Sequence, residues 1–430
     1  MSTAGRPPSS GRRAFLVRKS LIPLLIAVLV VYSAQQLLTP VLAPLSRELT
    51  LTETQLGLVI AVAATALTIA SPLWGHALHR IGLRLVLLSG LGLATAGLTG
   101  FAAVAALGLD DTMPTPLVFA LMLITRSIVF GAGVAALPVA ALAVAGTATT
   151  TETERTRATG LVGAAQGVSM VLGPAAGGAL AAASLMLPLY LAPILCLLLA
   201  LWVLATVRPP AASAPAAHSG PGPRPWDARL WPLLTIGFFL YLSLGLVQVI
   251  IGFLVADRLH LGPQETAGAV GIVLFTAGVV LVAVQGAAVP ALGWPVLRLL
   301  RTGSPIAIAA FALLSVSESL WLITTAFALL ALGLGLAIPG FTAAPTLVVE
   351  QTQQGSISGL VNATIGATFI VGPLLGTALY EIDPAIPILT ALGAVTAALV
   401  LAWASPAARR TQVTTVTAPP GTPAEPQEER

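Results

Sequence analysis

Arg126 is the residue best placed to do chemistry. It stands in Thr125-Arg126-Ser127-Ile128-Val129-Phe130-Gly131, eleven positions into an apolar run that starts near residue 115. At 1.5 Å per helical residue it lies about 16 Å deep, near the middle of a hydrocarbon layer roughly 30 Å thick. A guanidinium there costs roughly 2.5–3.5 kcal/mol on insertion scales, so it should face the bundle interior and a partner. Two readings stand. Neighbouring carbonyls or glutamines satisfy it, or it meets a substrate or takes part in proton coupling. Other polar and aromatic groups are also set in apolar runs: Tyr32, Gln35 and Gln36 in the first, Gln166 in the fifth, Phe238, Tyr241 and Gln248 in the seventh, and Asn362 in the eleventh. Tyr241 and Gln248, seven apart, share one helical face, with Phe238 one turn before Tyr241. Each of these has a bland alternative as a packing or lipid-facing residue.

The chemistry that is missing narrows the function further. All sixteen Asp and Glu residues fall in loops, tails or helix ends, so no midplane carboxylate can have its pKa raised by burial and titrate. Glutamine cannot titrate in its place. His76 and His79 sit in a loop, His218 in a Pro-rich stretch and His260 beyond the seventh run. No catalytic constellation or metal-ligand set gathers at one depth, so neither an enzyme nor a metal or other cofactor is expected. There is no G-x-x-x-x-G-K-[ST] loop for ATP. The net charge of +4 comes from basic residues beside helix ends and does not point to nucleic acid. The single cysteine, Cys196, excludes an intramolecular disulfide.

The scaffold follows from composition. Of 430 residues, 57% are hydrophobic and 8% charged, where a soluble chain carries about 25% charged. Hydropathy, broken at Gly, Pro and polar clusters, gives twelve spans at 21–44, 55–78, 84–107, 115–143, 159–182, 187–207, 229–256, 267–291, 302–317, 319–343, 356–380 and 385–405. The expected fold class is an all-α membrane protein. The first span, to about Leu45, is too long for a signal-peptide h-region and ends in no cleavage site. The shortest break is Ser315-Val316-Ser317-Glu318-Ser319; without it a run of about forty residues would have to be one span, so two helices are forced.

Placing the N-terminus in the cytoplasm puts seventeen of the twenty Lys and Arg residues inside, leaving only Arg47 and Arg258 outside and Arg126 within a helix. Six of the seven tryptophans (Trp74, Trp202, Trp231, Trp294, Trp321, Trp403) lie near helix ends. A multi-pass protein of the cytoplasmic (inner) membrane with both termini inside is expected. It divides into an N-terminal segment (1–19), a six-helix half (20–207), a flexible linker (208–228), a second half (229–408) and a disordered tail (409–430).

The two halves repeat. Residues 154–180 align without gaps on 353–379, with ten of 27 positions identical, including Gly160/Gly359, Gly173/Gly372, Pro174/Pro373 and Gly177/Gly376. A weaker echo joins Arg47–Gly57 to Arg258–Gly268. Repeated six-helix halves with a site at the midplane are a transporter architecture.

Three motifs carry a family resemblance over about residues 18–408. Gly160-x8-Ser169-x3-Gly173-Pro174-x2-Gly177-Gly178 resembles the fifth-helix antiporter motif of the major facilitator superfamily, with Ser169 in place of a glycine. Ordinary small-residue packing is the other reading of it. Gly75-His76-Ala77-Leu78-His79-Arg80-Ile81-Gly82-Leu83-Arg84 resembles the cytoplasmic loop signature, matching at Gly75, Arg80, Gly82 and Arg84. His79 stands where the family has an aspartate, so the latch uses other contacts or becomes conditional on protonation. The segment around Arg126 resembles the buried-arginine motif, with its glycine one position late and Val129 where a glutamine is usual.

The resemblance implies two pseudo-symmetric halves, with helices one, four, seven and ten lining a central path. On it, Tyr32, Gln35, Gln36, Arg126, Gln166, Phe238, Tyr241, Gln248 and Asn362 are candidate substrate-binding residues. Gly75, His79, Arg80, Gly82, Arg84, Gly160, Gly173, Pro174, Gly177, Gly178, Gly372, Pro373 and Gly376 are candidates for the conformational change. It implies the twelve-helix drug/proton antiporter branch, an exporter of small, moderately apolar organic molecules by alternating access. Proton coupling comes from the resemblance alone, with Asp257 and Glu318 as peripheral acids. An importer or uniporter of one metabolite is the runner-up, and a nontransporting scaffold or receptor is the alternative of another class. A monomer in the bilayer, acting on a small-molecule substrate, is expected.

Overall fold

The computed structural model describes residues 10–148, 152–206, 226–349 and 353–405. The expected linker up to residue 225 and the tail from 409 lie outside these. α1 runs Ser10–Leu37 and, past a break at Leu38, Thr39–Glu48. Glu53–Leu109 is a 57-residue helical stretch broken at Gly82, whose φ of 81° and ψ of 166° are not helical; its two arms are α2 and α3. Only glycine adopts that backbone freely, which is why the loop signature needs it there. α4 comprises Thr115–Met122, a π-helical segment Leu123–Val129 and Phe130–Ala148. α5 is Glu152–Ala181, α6 Met186–Thr206 and α7 Trp231–Leu259. α8 runs from Pro263–Ala283 through a second π-helical segment, Val284–Ala288, to Val289–Leu292. α9 is Val296–Ser315, α10 Leu320–Leu347, α11 Gln354–Ile382 and α12 Ile386–Ala404. Among the described residues these are the twelve expected helices.

Boundaries moved where charge interrupts hydropathy without interrupting the helix. α9 starts at Val296 rather than 302 because Arg298 and Arg301 lie over the rings of Trp294 and Trp403, at 4.3 and 4.0 Å. α5 starts at Glu152 rather than 159, and α1 ends at Glu48 rather than 44. Helix ends are satisfied locally. Thr52 and Gln55 close a capping box on α2, and Ser319 accepts the Leu322 N–H at the start of α10. The forced turn between α9 and α10 is real. Arg258 donates to the carbonyls of Leu314, Ser315 and Ser317, supplying the donors that the last turn of α9 lacks. At the other end of the bundle, Arg84 of α3 donates to Leu204 O at the end of α6, and Arg301 of α9 to Ala402 O at the end of α12. The same device serves both halves.

The repeat is physical. Gly173 and Gly177 of α5 pack against Gln36 and Leu37 of α1, and their counterparts Gly372 and Gly376 of α11 pack against Gly245 and Leu246 of α7. A Cβ on Gly177 would lie 2.8 Å from the Leu37 carbonyl carbon, and one on Gly376 2.6 Å from Leu246 O. Ser169 and its partner Thr368 are both buried and donate to the carbonyl three residues back, each at 2.6 Å. A hydroxyl in an apolar helix must find such an internal acceptor.

Candidate functional site

α4 carries the arginine on its π-helical segment, a form that recurs at functional sites. Ser127 donates its Oγ to Val59 O of α2 at 2.6 Å, and Thr125 donates back to Leu121 O at 2.7 Å. Gly97 of α3 lies so close that a Cβ there would come 2.7 Å from Phe130 N. The wide turn is therefore clamped on two sides. Arg126 itself is 6% exposed, and its guanidinium carbon lies 4.9 Å from the centre of the Phe130 ring. Its Nε is buried without a hydrogen-bond partner, and no ion pair or hydrogen bond with a described residue offsets its burial.

On α1, Tyr32 approaches the Gln166 side chain of α5. Gln35 and Gln36 are half-buried at the α1 break. Pro40 lacks the N–H that would reach the Gln36 carbonyl, so that carbonyl loses its helical donor. In the second half, Tyr241 meets Phe341 of α10 and Phe369 of α11 edge-to-face, at 6.1 and 6.3 Å between ring centres. Phe238 meets Phe239 in the same way at 6.0 Å. Gly237 leaves room for the Phe341 ring. Gln248 is half-buried and Asn362 exposed. The structure thus brings Tyr32 near Gln166 and extends Tyr241 into a three-ring cluster. Phe130, Phe341 and Phe369 were not singled out from sequence; an aromatic inside an otherwise aliphatic span was the available signal.

The motif glycines divide by role. Gly178 of α5 meets Gly271 of α8, Gly57 of α2 sits beneath Thr377 of α11, and Gly252 of α7 faces Ala43 of α1. All three contacts cross between halves at the end of the bundle away from the termini. Gly366 approaches Thr68 at mid-depth, and Val171 packs on Gly278. Beyond that depth, a Cβ on Gly75, Gly160, Gly163, Gly167, Gly286 or Gly359 would meet nothing within 4 Å. Along α2–α11 and α5–α8 the halves touch at one end and splay at the other. His79 and Arg80 are exposed at the splayed end.

The family model described as "Major Facilitator Superfamily" matches residues 24–361. The chain belongs to that superfamily. Solved structures agree on the fold. One is a bacterial homologue of the iron transporter ferroportin in an inward-facing state, 16% identical, with a TM-score of 0.66 over 92% of this chain and 98% of that one. Another is a single-site mutant of the nucleoside transporter NupG, 13% identical, TM-score 0.67, covering 91% and 99%. A third is the human organic anion transporter MFSD10 (TETRAN), 16% identical, TM-score 0.62, covering 90% and 99%. No protein of curated function matches the chain in sequence. Membership of the superfamily makes the protein a multi-pass membrane transporter.

Proposed function

We propose that the protein exports small, moderately apolar organic molecules carrying an anionic or strongly accepting group, by alternating access around a site that includes Arg126. The observation that carries this reading is the buried guanidinium with an unpartnered Nε and, among the described residues, no carboxylate beside it. A charge kept in that setting without a protein partner suits a cargo that brings the partner. The Tyr241–Phe341–Phe369 rings and the half-buried glutamines of α1 supply apolar and amide surface for the rest of the molecule. With the N-terminus in the cytoplasm, the splayed end faces inward, the state in which an exporter loads. Export is favoured by the fifth-helix motif, whose Gly178 sits at the point where the halves meet.

An importer or uniporter is the second reading. It is favoured by the acidic residues, which fall outside the apolar interior of every described span; Asp257 and Glu381 stand at helix ends. The test is accumulation of dyes and organic anions in an efflux-deficient bacterial host expressing the chain, with and without protonophore. Lower accumulation that collapses with protonophore supports proton-driven export, and loss of the effect in Arg126→Ala supports the anion site. Raised accumulation that persists with protonophore supports the importer. Transport spared by Arg126→Ala but abolished by changes at Gln35 and Gln36 would sink the role given to Arg126.

A further inference from the structure

At the end away from the termini the halves are joined by charge as well as by glycine contacts. Arg47, at the end of α1, donates Nη1 to Oδ1 and Nη2 to Oδ2 of Asp257, at the end of α7, at 2.5 and 2.9 Å. Nη2 also donates to Glu53 Oε1 of α2 at 3.0 Å, and the guanidinium lies over the Phe253 ring at 4.9 Å. Tyr380 of α11 donates its Oη to Asp257 Oδ2 at 2.7 Å. One residue on, Glu381 Oε1 accepts the N–H of Thr54 in the first turn of α2 at 2.7 Å.

We propose that Arg47, Asp257, Tyr380 and Glu381 form the outer gate of the transporter. Two latches, Arg47 in an Asp257–Tyr380 socket and Glu381 on the N-terminus of α2, close when the halves meet there and break when the site opens to that side.

The partners sort by half. Asp257, Tyr380 and Glu381 belong to the C-terminal half; Arg47, Glu53 and Thr54 belong to the N-terminal half. When the halves part, Arg47 keeps Glu53 and Asp257 keeps Tyr380, so opening exchanges one partner and strips no charge bare. The second latch follows the same logic, because a carboxylate on a helix N-terminus can be replaced by water at little cost. Solvent reaches the pair already. The Arg47 and Asp257 side chains are 35% and 39% exposed, and Asp257 lines an open cavity of about 490 Å³ with Arg258, His260, Ser315, Val316 and Glu318. A latch of this exposure is weak enough to cycle, and each one should shift the open-to-closed ratio by about 2- to 5-fold. The gate holds for any cargo and either direction, so it stands apart from the role given to Arg126.

The test exploits the chain's single cysteine. Cys196 is buried, so Thr377→Cys, at the fully buried contact over Gly57, reports gate opening by reaction with a polar maleimide in nanodiscs. Arg47→Ala and Glu381→Gln should each speed labelling about 2- to 5-fold, and the two together by about the product. Gly359→Cys, at the splayed end, should label more slowly in the same backgrounds, which mere loosening of the fold would not produce. Arg47→Asp with Asp257→Arg should return labelling toward the wild-type rate, while either swap alone stays fast. If Thr377→Cys does not fold, Ala43→Cys against Gly252 reports closure at the same end. Labelling rates unchanged at both ends in Arg47→Ala, Glu381→Gln and their combination would overturn the proposal.

Discussion

Replacing Arg126 by methionine should separate stability from function. The buried Nε donates to no described residue, a loss of about 1–3 kcal/mol. The ring contact with Phe130 returns roughly 0.5–2 kcal/mol. An apolar side chain of similar length removes both, which places the variant between about 1 kcal/mol less stable and about 2.5 kcal/mol more stable than the wild type. With an anion bound the sign reverses. Losing one member of a buried, hydrogen-bonded charge pair costs about 2–5 kcal/mol, or roughly thirtyfold to several-thousandfold in affinity. The assay is thermal unfolding of both proteins in one detergent, with and without a panel of organic anions, alongside calorimetric binding. Without anion, the midpoint of Arg126→Met should lie close to or above the wild type, and the anion-induced rise should vanish. An arginine that only braced α4 would behave oppositely, since breaking a buried network costs about 3–5 kcal/mol. A midpoint well below wild type with binding intact would refute the reasoning.

Substitutions at four other positions probe the frame. Gly178→Val should lose transport, because a Cβ there would meet the Gly271 Cα at 2.7 Å and the end away from the termini could not close; overpacking costs about 1–3 kcal/mol, and wild-type uptake in proteoliposomes would contradict it. Gly82→Ala should lower the unfolding midpoint through backbone strain of about 1–3 kcal/mol at φ 81°. Gly75→Ala, in open space, should leave the midpoint unchanged or raised, and equal effects at both sites would count against the break. Tyr241→Ala should destabilise by about 1–3 kcal/mol through two lost ring contacts, while Tyr241→Phe keeps them; chemical denaturation of the two variants separates the outcomes.

Sequence alone determined the membrane class, the twelve helices and the paired halves, because each rests on local quantities. A span needs about twenty apolar residues wherever it packs, and Gly82 breaks its helix by its own backbone freedom. The short turn after Ser315 was forced by length, and the depth of Arg126 followed from counting residues. Tertiary structure decided what meets what. Nothing local pairs Arg47 with Asp257, 210 residues away, or sets Phe341 and Phe369 around Tyr241. Glycines of one sequence type also took different duties: Gly173 and Gly177 on the α1 of their own half, Gly178 across to α8, and Gly160 and Gly359 in open space. A glycine shows in sequence that something can come close, and only the packed bundle supplies what does.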